Sequence, residues 1–292
     1  MSADKPTLVL VPGSFASRVI YETMICTLES RRYEVVFVSL PSVVERCLAI
    51  DERPPPATME DDAYHIQSII RGIADSGQDV LLIAHSYGAI PATESCRGVT
   101  KPARTMQGKA GGVMGLLYLT GWVPMLGESM KDILAATSGT RKSPNNLTME
   151  GPGYLGVSTE LSLNLAFPEL NHIETVYWLS KLSLQSLNSV GGELSFEGWK
   201  YVPVCYVYCS ADELNPPYYQ RRIINAIEQE TRKRVKVYEC NSGHFPNISN
   251  LDFVVDVVTR AAQITASEDM DVWNDSVSPP AIQLSSASNE HS

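Results

Sequence analysis

Four stretches of the chain are apolar almost throughout: 7–11 (TLVLV), 80–84 (VLLIA), 115–122 (GLLYLTGW) and 204–209 (VCYVYC). None alternates apolar with polar residues. A strand of this kind has no face to offer water, so it must be covered on both sides. That requirement points to a parallel sheet between two layers of helix. The intervening sequence supplies the helices. Over 19–31, Ile20, Met24 and Leu28 fall four apart; over 58–75, Met59, Ala63, Ile66, Ile70 and Ile73 recur at spacings of four and three. Both patterns line one helical face, and Thr58 is placed to cap the second helix. Two further strands are predicted at 34–39 and 235–239, and further helices from Ala89 and over 248–264. The fold class is therefore α/β, with a mainly parallel sheet of about six strands and helices on both faces.

Two segments break this rhythm. Between the fourth and fifth strands lies 123–200, far longer than the 2–6 residues or so that usually join a strand to its helix. It holds a helix-like stretch near 171–187 and the aromatics Tyr154, Phe167, Tyr177, Trp178, Phe196 and Trp199. It is expected to be a helical cap over one end of the sheet, inserted in a core made of 1–122 and 201–265. The second segment, 266–292, is rich in Ser, Pro, Asp and Glu and has no Lys or Arg. It reads as a disordered acidic tail, whose removal at about residue 266 is expected to leave activity intact.

Charge narrows the range of partners. Lys and Arg number 23 against 33 Asp and Glu, for a net charge of -10. A chain this acidic is unsuited to nucleic acid or to an anionic membrane. Five of its acids (Glu268, Asp269, Asp271, Asp275 and Glu290) lie in the tail, so the charge does not describe a pocket. No run of about 18 apolar residues is present to span a bilayer, and the N-terminal apolar run reads as a strand rather than a secretory leader. The six cysteines are scattered, without a CxxC pair or a His-rich cluster. No metal site is expected, and reduced thiols in a cytoplasmic protein are. A homodimer is compatible with the sequence but not specified by it.

The chemistry begins at Ala84-His85-Ser86-Tyr87-Gly88, directly after the third strand and before a helix. This is a G-x-S-x-G elbow with alanine in the first small position. The turn drives its neighbours together, so Ala84, Gly88 and Ala89 must be small. It lifts the Ser86 hydroxyl above the sheet edge, at a helix N-terminus that favours developing negative charge. A serine nucleophile needs a base. His244, in the loop after the last strand, arrives on the same edge; His65 lies in a helix, His172 in the cap and His291 in the tail, and His85, adjacent to Ser86, should point its side chain elsewhere. Asp212, first off the fifth strand, is the expected orienting acid, with Glu213 its competitor. The order Ser86, Asp212, His244 is the one this architecture uses. Two amides are expected to hold an oxyanion, those of Tyr87 and of Ser14 in the Pro12-Gly13-Ser14-Phe15 loop. Gly13, Phe15, Trp122 and Trp178 are expected to contact substrate, and Tyr87 flanks the same place. Trp122, Met125 and Leu126 form the hinge of the cap, and with the cap aromatics they predict a mainly apolar pocket.

With these residues the chain resembles the α/β-hydrolases, and within them the small methylesterase and hydroxynitrile-lyase branch that includes plant salicylate-binding esterases. The resemblance covers about 7–265. LVLVPGSF, AHSYG, GWVPMLGESMKDIL (121–134), CSADELNPPY (209–218) and the run Gly243-His244-Phe245-Pro246 carry it. It implies Ser86 as nucleophile, Asp212 and His244 as its partners, and oxyanion donors at Ser14 and Tyr87. It implies no cofactor. The chain departs from the usual His-Gly of the oxyanion loop, which here is Pro12-Gly13. Hydroxynitrile lyases carry threonine where this chain has Gly13, and lysine where it has Phe245. Both differences favour hydrolysis over cyanohydrin cleavage, and the apolar cap and hinge point to a small to medium apolar ester or lactone as substrate. A lyase or a ligand-binding receptor on the same scaffold is the alternative; such receptors often lose a triad member, and none is missing here. A general resemblance to fungal and bacterial biosynthetic-cluster hydrolases suggests specialised metabolism.

Overall fold

The computed structural model describes residues 5–138, 147–158, 162 and 165–266. The expected tail beyond Ala266 lies outside the described residues. Six strands form one sheet: β1 (Thr7–Val11), β2 (Val35–Phe37), β4 (Asp79–His85), β5 (Gly112–Leu119), β9 (Val204–Cys209) and β10 (Lys236–Cys240). Their order is β10-β9-β5-β4-β1-β2, and every pairing is parallel. The burial agrees with the unalternating sequence, since all residues of β1, β5 and β9 are buried.

Successive residues of a strand serve opposite layers. Val9 and Val11 pack with helix α2 (Met59–Asp75) and helix α3 (Ala89–Ser95), while Leu8 and Leu10 pack with helix α1 (Glu22–Ser30) and the C-terminal helix Leu251–Ala266. Helix α2 begins as expected. The Thr58 hydroxyl accepts from the Asp61 amide and the Asp61 carboxylate accepts from the Thr58 amide, a reciprocal cap that satisfies two orphan donors.

The chain runs from β1 outward to β2 and then returns to the far side of β1 as β4. The order therefore reverses between β1 and β4, and ligand sites form at the C-terminal ends of strands at such a point. The loop after β1 and the elbow after β4 flank that crevice.

The cap carries helices at Met130–Ser138 and His172–Ser180, and beside them strands that were not expected. Helix-like sequence at 171–187 yields helix only over His172–Ser180; 184–186 is a strand. Strands β3 (Val43–Val44), β6 (Leu147–Met149), β7 (Tyr154–Val157) and β8 (Leu184–Ser186) make a second, antiparallel sheet in the order β3-β8-β7-β6. Its first strand precedes α2 in the core, so the cap is pinned to the core by main-chain pairing.

Candidate active site

The elbow strains the backbone at Ser86, whose φ is 51°, a conformation that persists only when its surroundings over-determine it. Here they do. A Cβ on Gly88 would lie 2.2 Å from the Pro12 carbonyl oxygen, so only glycine lets the elbow close on the end of β1. On the other side the Trp122 amide donates to the Ser86 carbonyl at 2.9 Å.

Ser86, His244 and Asp212 are buried and lie in one hydrogen-bonded line. His244 Nδ1 is 2.7 Å from Asp212 Oδ2, and His244 Nε2 is 2.7 Å from Ser86 Oγ. The carboxylate is an acceptor, so Nδ1 carries the proton and Nε2 accepts the hydrogen of the Ser86 hydroxyl. Asp212 is fixed at both oxygens. Oδ1 accepts from the Leu214 and Asn215 amides, each at 2.8 Å, and Oδ2 also accepts from the Thr120 hydroxyl. Glu213, the sequence competitor, is not in this line. Thr120 was not among the expected site residues, and its own backbone is left-handed at φ 39°.

His85 turns away from the serine and joins two loops. The Gly13 amide donates to the Tyr21 hydroxyl at 3.0 Å, which leaves the Tyr21 hydrogen for His85 Nδ1 at 2.7 Å. His85 Nε2 then donates to the His244 carbonyl at 2.7 Å. Burial, reinforced by the neighbouring His244, lowers the His85 pKa to about 3. The imidazole is therefore neutral, and it ties the loop that carries Ser14 to the loop that carries His244.

Next to it, the Ser14 amide lies between two that are taken. The Gly13 amide serves Tyr21, the Phe15 amide donates to Gln185 Oε1 at 3.2 Å, and among the described residues the Ser14 amide has no acceptor. Tyr87, second residue of the short helical turn Ser86–Gly88, has one of the amides that a helix start leaves without an intrahelical acceptor.

Residues 8–257 match the model of the alpha/beta hydrolase family. The chain belongs to that family. The probable hydrolase R7 of Phoma sp. is 28% identical over 262 residues, covering 88% of this chain and 98% of that protein. The alpha/beta hydrolase nvfD of Aspergillus novofumigatus is 26% identical over 258 residues, covering 88% and 97%. Among solved structures, polyneuridine aldehyde esterase superposes with a TM-score of 0.65 at 17% identity, covering 88% of this chain and 99% of that one. This last likeness is one of fold.

In this hydrolase a pocket of about 80 Å³ opens on Ser86 and His244. Gly13, Ser14, Phe15 and Trp122 line it. Trp178 does not. It is half-buried on the cap helix and packs edge-on to Tyr177, with ring centroids 5.1 Å apart. The Tyr87 side chain is also absent from the pocket. It is wholly buried, and its hydroxyl donates to Asp62 at 2.7 Å. The hinge residues also differ in place: Leu126 is exposed, while Met125 packs on the core. The cap walls are aliphatic, chiefly Met130, Leu134, Val157 and Leu182. Phe167, a cap aromatic, stacks on Phe245 with ring centroids 4.7 Å apart.

Proposed function

We propose that this hydrolase cleaves a small to medium apolar carboxylic ester or lactone through an acyl-enzyme. The observation that carries the reading is the unbroken Ser86–His244–Asp212 line at the floor of an apolar pocket. Ser86 Oγ attacks the carbonyl carbon while His244 Nε2 takes its proton. The carbonyl electron pair moves to oxygen, and the oxyanion is held by the Ser14 and Tyr87 amides. Asp212 keeps His244 in the required tautomer and stabilises the imidazolium. Collapse expels the alcohol, which leaves with the proton from His244. Water then attacks the acyl-enzyme, with His244 again the base, and the acid departs. Substrate and water apart, each of these roles falls to a group of this chain. The hydrolase names of its relatives and the esterase name of a structural neighbour support the same class.

The pocket also argues for a short acyl group. A dry cavity of roughly 150 Å³ holds one benzene, and this one offers about half that room. With p-nitrophenyl esters of graded length, kcat/KM is expected to peak at two to four acyl carbons. Ser86→Ala should cut kcat by about 10³-fold or more and abolish labelling by a fluorophosphonate. Undiminished ester turnover in that variant would remove Ser86 from the reaction.

A further inference from the structure

Outside the Ser86 line, one buried polar cluster runs from the side chain of Tyr87 to the backbone of Phe15, the residue after Ser14. Its centre is Asp62, which sits on the apolar face of α2 and is fully buried. The Asp62 carboxylate accepts three hydrogen bonds: from the Ser42 amide at 2.9 Å, the Ser42 hydroxyl at 2.5 Å and the Tyr87 hydroxyl at 2.7 Å. Ser42 Oγ in turn accepts from Gln185 Nε2 at 2.9 Å, and the second Nε2 hydrogen goes to Ser189 Oγ at 2.7 Å. The remaining Gln185 atom, Oε1, accepts from the Phe15 amide at 3.2 Å. Since a backbone amide can only donate, the orientation of the Gln185 amide is fixed.

The two ends of this chain of bonds matter most. At one end is Tyr87, whose backbone amide follows Ser86. At the other is Phe15, which follows Ser14. Phe15 has a φ of 61°, left-handed and strained for a residue with a Cβ. Both of its backbone groups are held by the cap, the amide by Gln185 and the carbonyl by the Ser183 amide at 2.6 Å. A strained residue beside an oxyanion donor, locked from outside, is a positioning arrangement.

We propose that Asp62 and Gln185 are positioning residues for the oxyanion hole. Through Tyr87 and Phe15 they set the separation of the two amides, so that the cap strand β8 completes a hole whose donors both lie in the core. The inference rests on the serine-hydrolase reading and extends it to residues that do not touch substrate.

The test uses the full chain and three variants with little change of shape: Tyr87→Phe, Asp62→Asn and Gln185→Met. Loss of a whole oxyanion donor costs about 10²–10³ in rate, and a donor merely displaced costs less. For p-nitrophenyl butyrate, kcat is therefore expected to fall about 10- to 100-fold in each, with KM within about threefold. An aryl trifluoromethyl ketone, which adds to serine as a tetrahedral oxyanion, should lose affinity by the same factor as kcat/KM. A purely structural role would lower the melting temperature without that proportionality. Folded variants with kcat within twofold of wild type, or with unchanged ketone affinity, overturn the inference. Should Asp62→Asn not fold, Tyr87→Phe and Gln185→Met decide it from the two ends. Wild-type turnover that survives Ser86→Ala would instead overturn the hydrolase mechanism, and the inference with it.

Discussion

At the scale of single residues, Asp212 shows why chemical identity matters as much as shape. Its two oxygens receive four donors: two backbone amides on Oδ1, and Thr120 and His244 on Oδ2. An asparagine fits the space but brings an NH2 group. The backbone amides require its oxygen, so the NH2 must face His244 and drive the proton from Nδ1 to Nε2. The base is then in the wrong tautomer. On the proposed mechanism, Asp212→Asn lowers kcat by about 10³–10⁴-fold with little loss of stability. A steady-state assay beside a thermal melt checks both halves; a kcat near wild type would sink the role given to Asp212. The same attention to pairing applies to Asp62. Its place on the apolar stripe of α2, three after Met59 and four before Ile66, is visible in the sequence. An acid among buried positions is the signal that would have found it.

Among elements, the junction between the elbow and β1 is the tightest. The Cβ of an alanine at 88 would press on Pro12 backbone, which cannot rotate away as a side chain could. Gly88→Ala should destabilise by about 1–3 kcal/mol, which for a chain of this size lowers Tm by at least about 2–4 °C. Activity should fall with it, because the elbow and the Ser14 loop move apart. An unchanged melting curve would mean the junction is looser than its geometry. This junction was legible in the sequence because small residues two positions either side of a serine, between an apolar run and a helix, satisfy only that turn. The central strands were legible for the same kind of reason, being buried on both faces. Their ends were less so. The run 115–122 reads as continuous strand, yet β5 is Gly112–Leu119, since Thr120 takes positive φ to aim its hydroxyl at Asp212. The strands of the second sheet escaped notice because runs of two to four residues cannot display an alternation, and one partner of β8 lies 140 positions away at Val43 and Val44. Trp178 illustrates the limit of composition: an aromatic cap residue, but one that packs against the core beside the pocket without lining it.

For the molecule as a whole, two buried groups set opposing responses to acid. His85 is neutral in the fold, with its pKa depressed from 6.5 to about 3 by burial first and by His244 second. Below pH 6.5 the unfolded chain gains a proton there that the folded chain refuses, so stability falls as pH drops toward 3. Integrated to pH 4, the loss is on the order of 3 kcal/mol. Asp62 works the other way. Burial lifts its pKa from 3.8 to about 6, outweighing the Ser42 and Tyr87 hydrogen bonds that pull it down. Above pH 6 the fold bears the cost of a buried carboxylate, and that cost is relieved as pH falls through 6 toward 3.8, returning about 2 kcal/mol by pH 4. The two contributions nearly cancel in the wild type, and single variants uncover each. Relative to wild type, His85→Gln should gain stability between pH 7 and pH 4, whereas Asp62→Asn should lose it. Urea unfolding at pH 7, 5.5 and 4 reads the difference directly, because every other titrating group contributes alike to the three curves. Parallel curves across that range would show that neither group titrates as its burial demands, and crossed signs would show that the two assignments are exchanged.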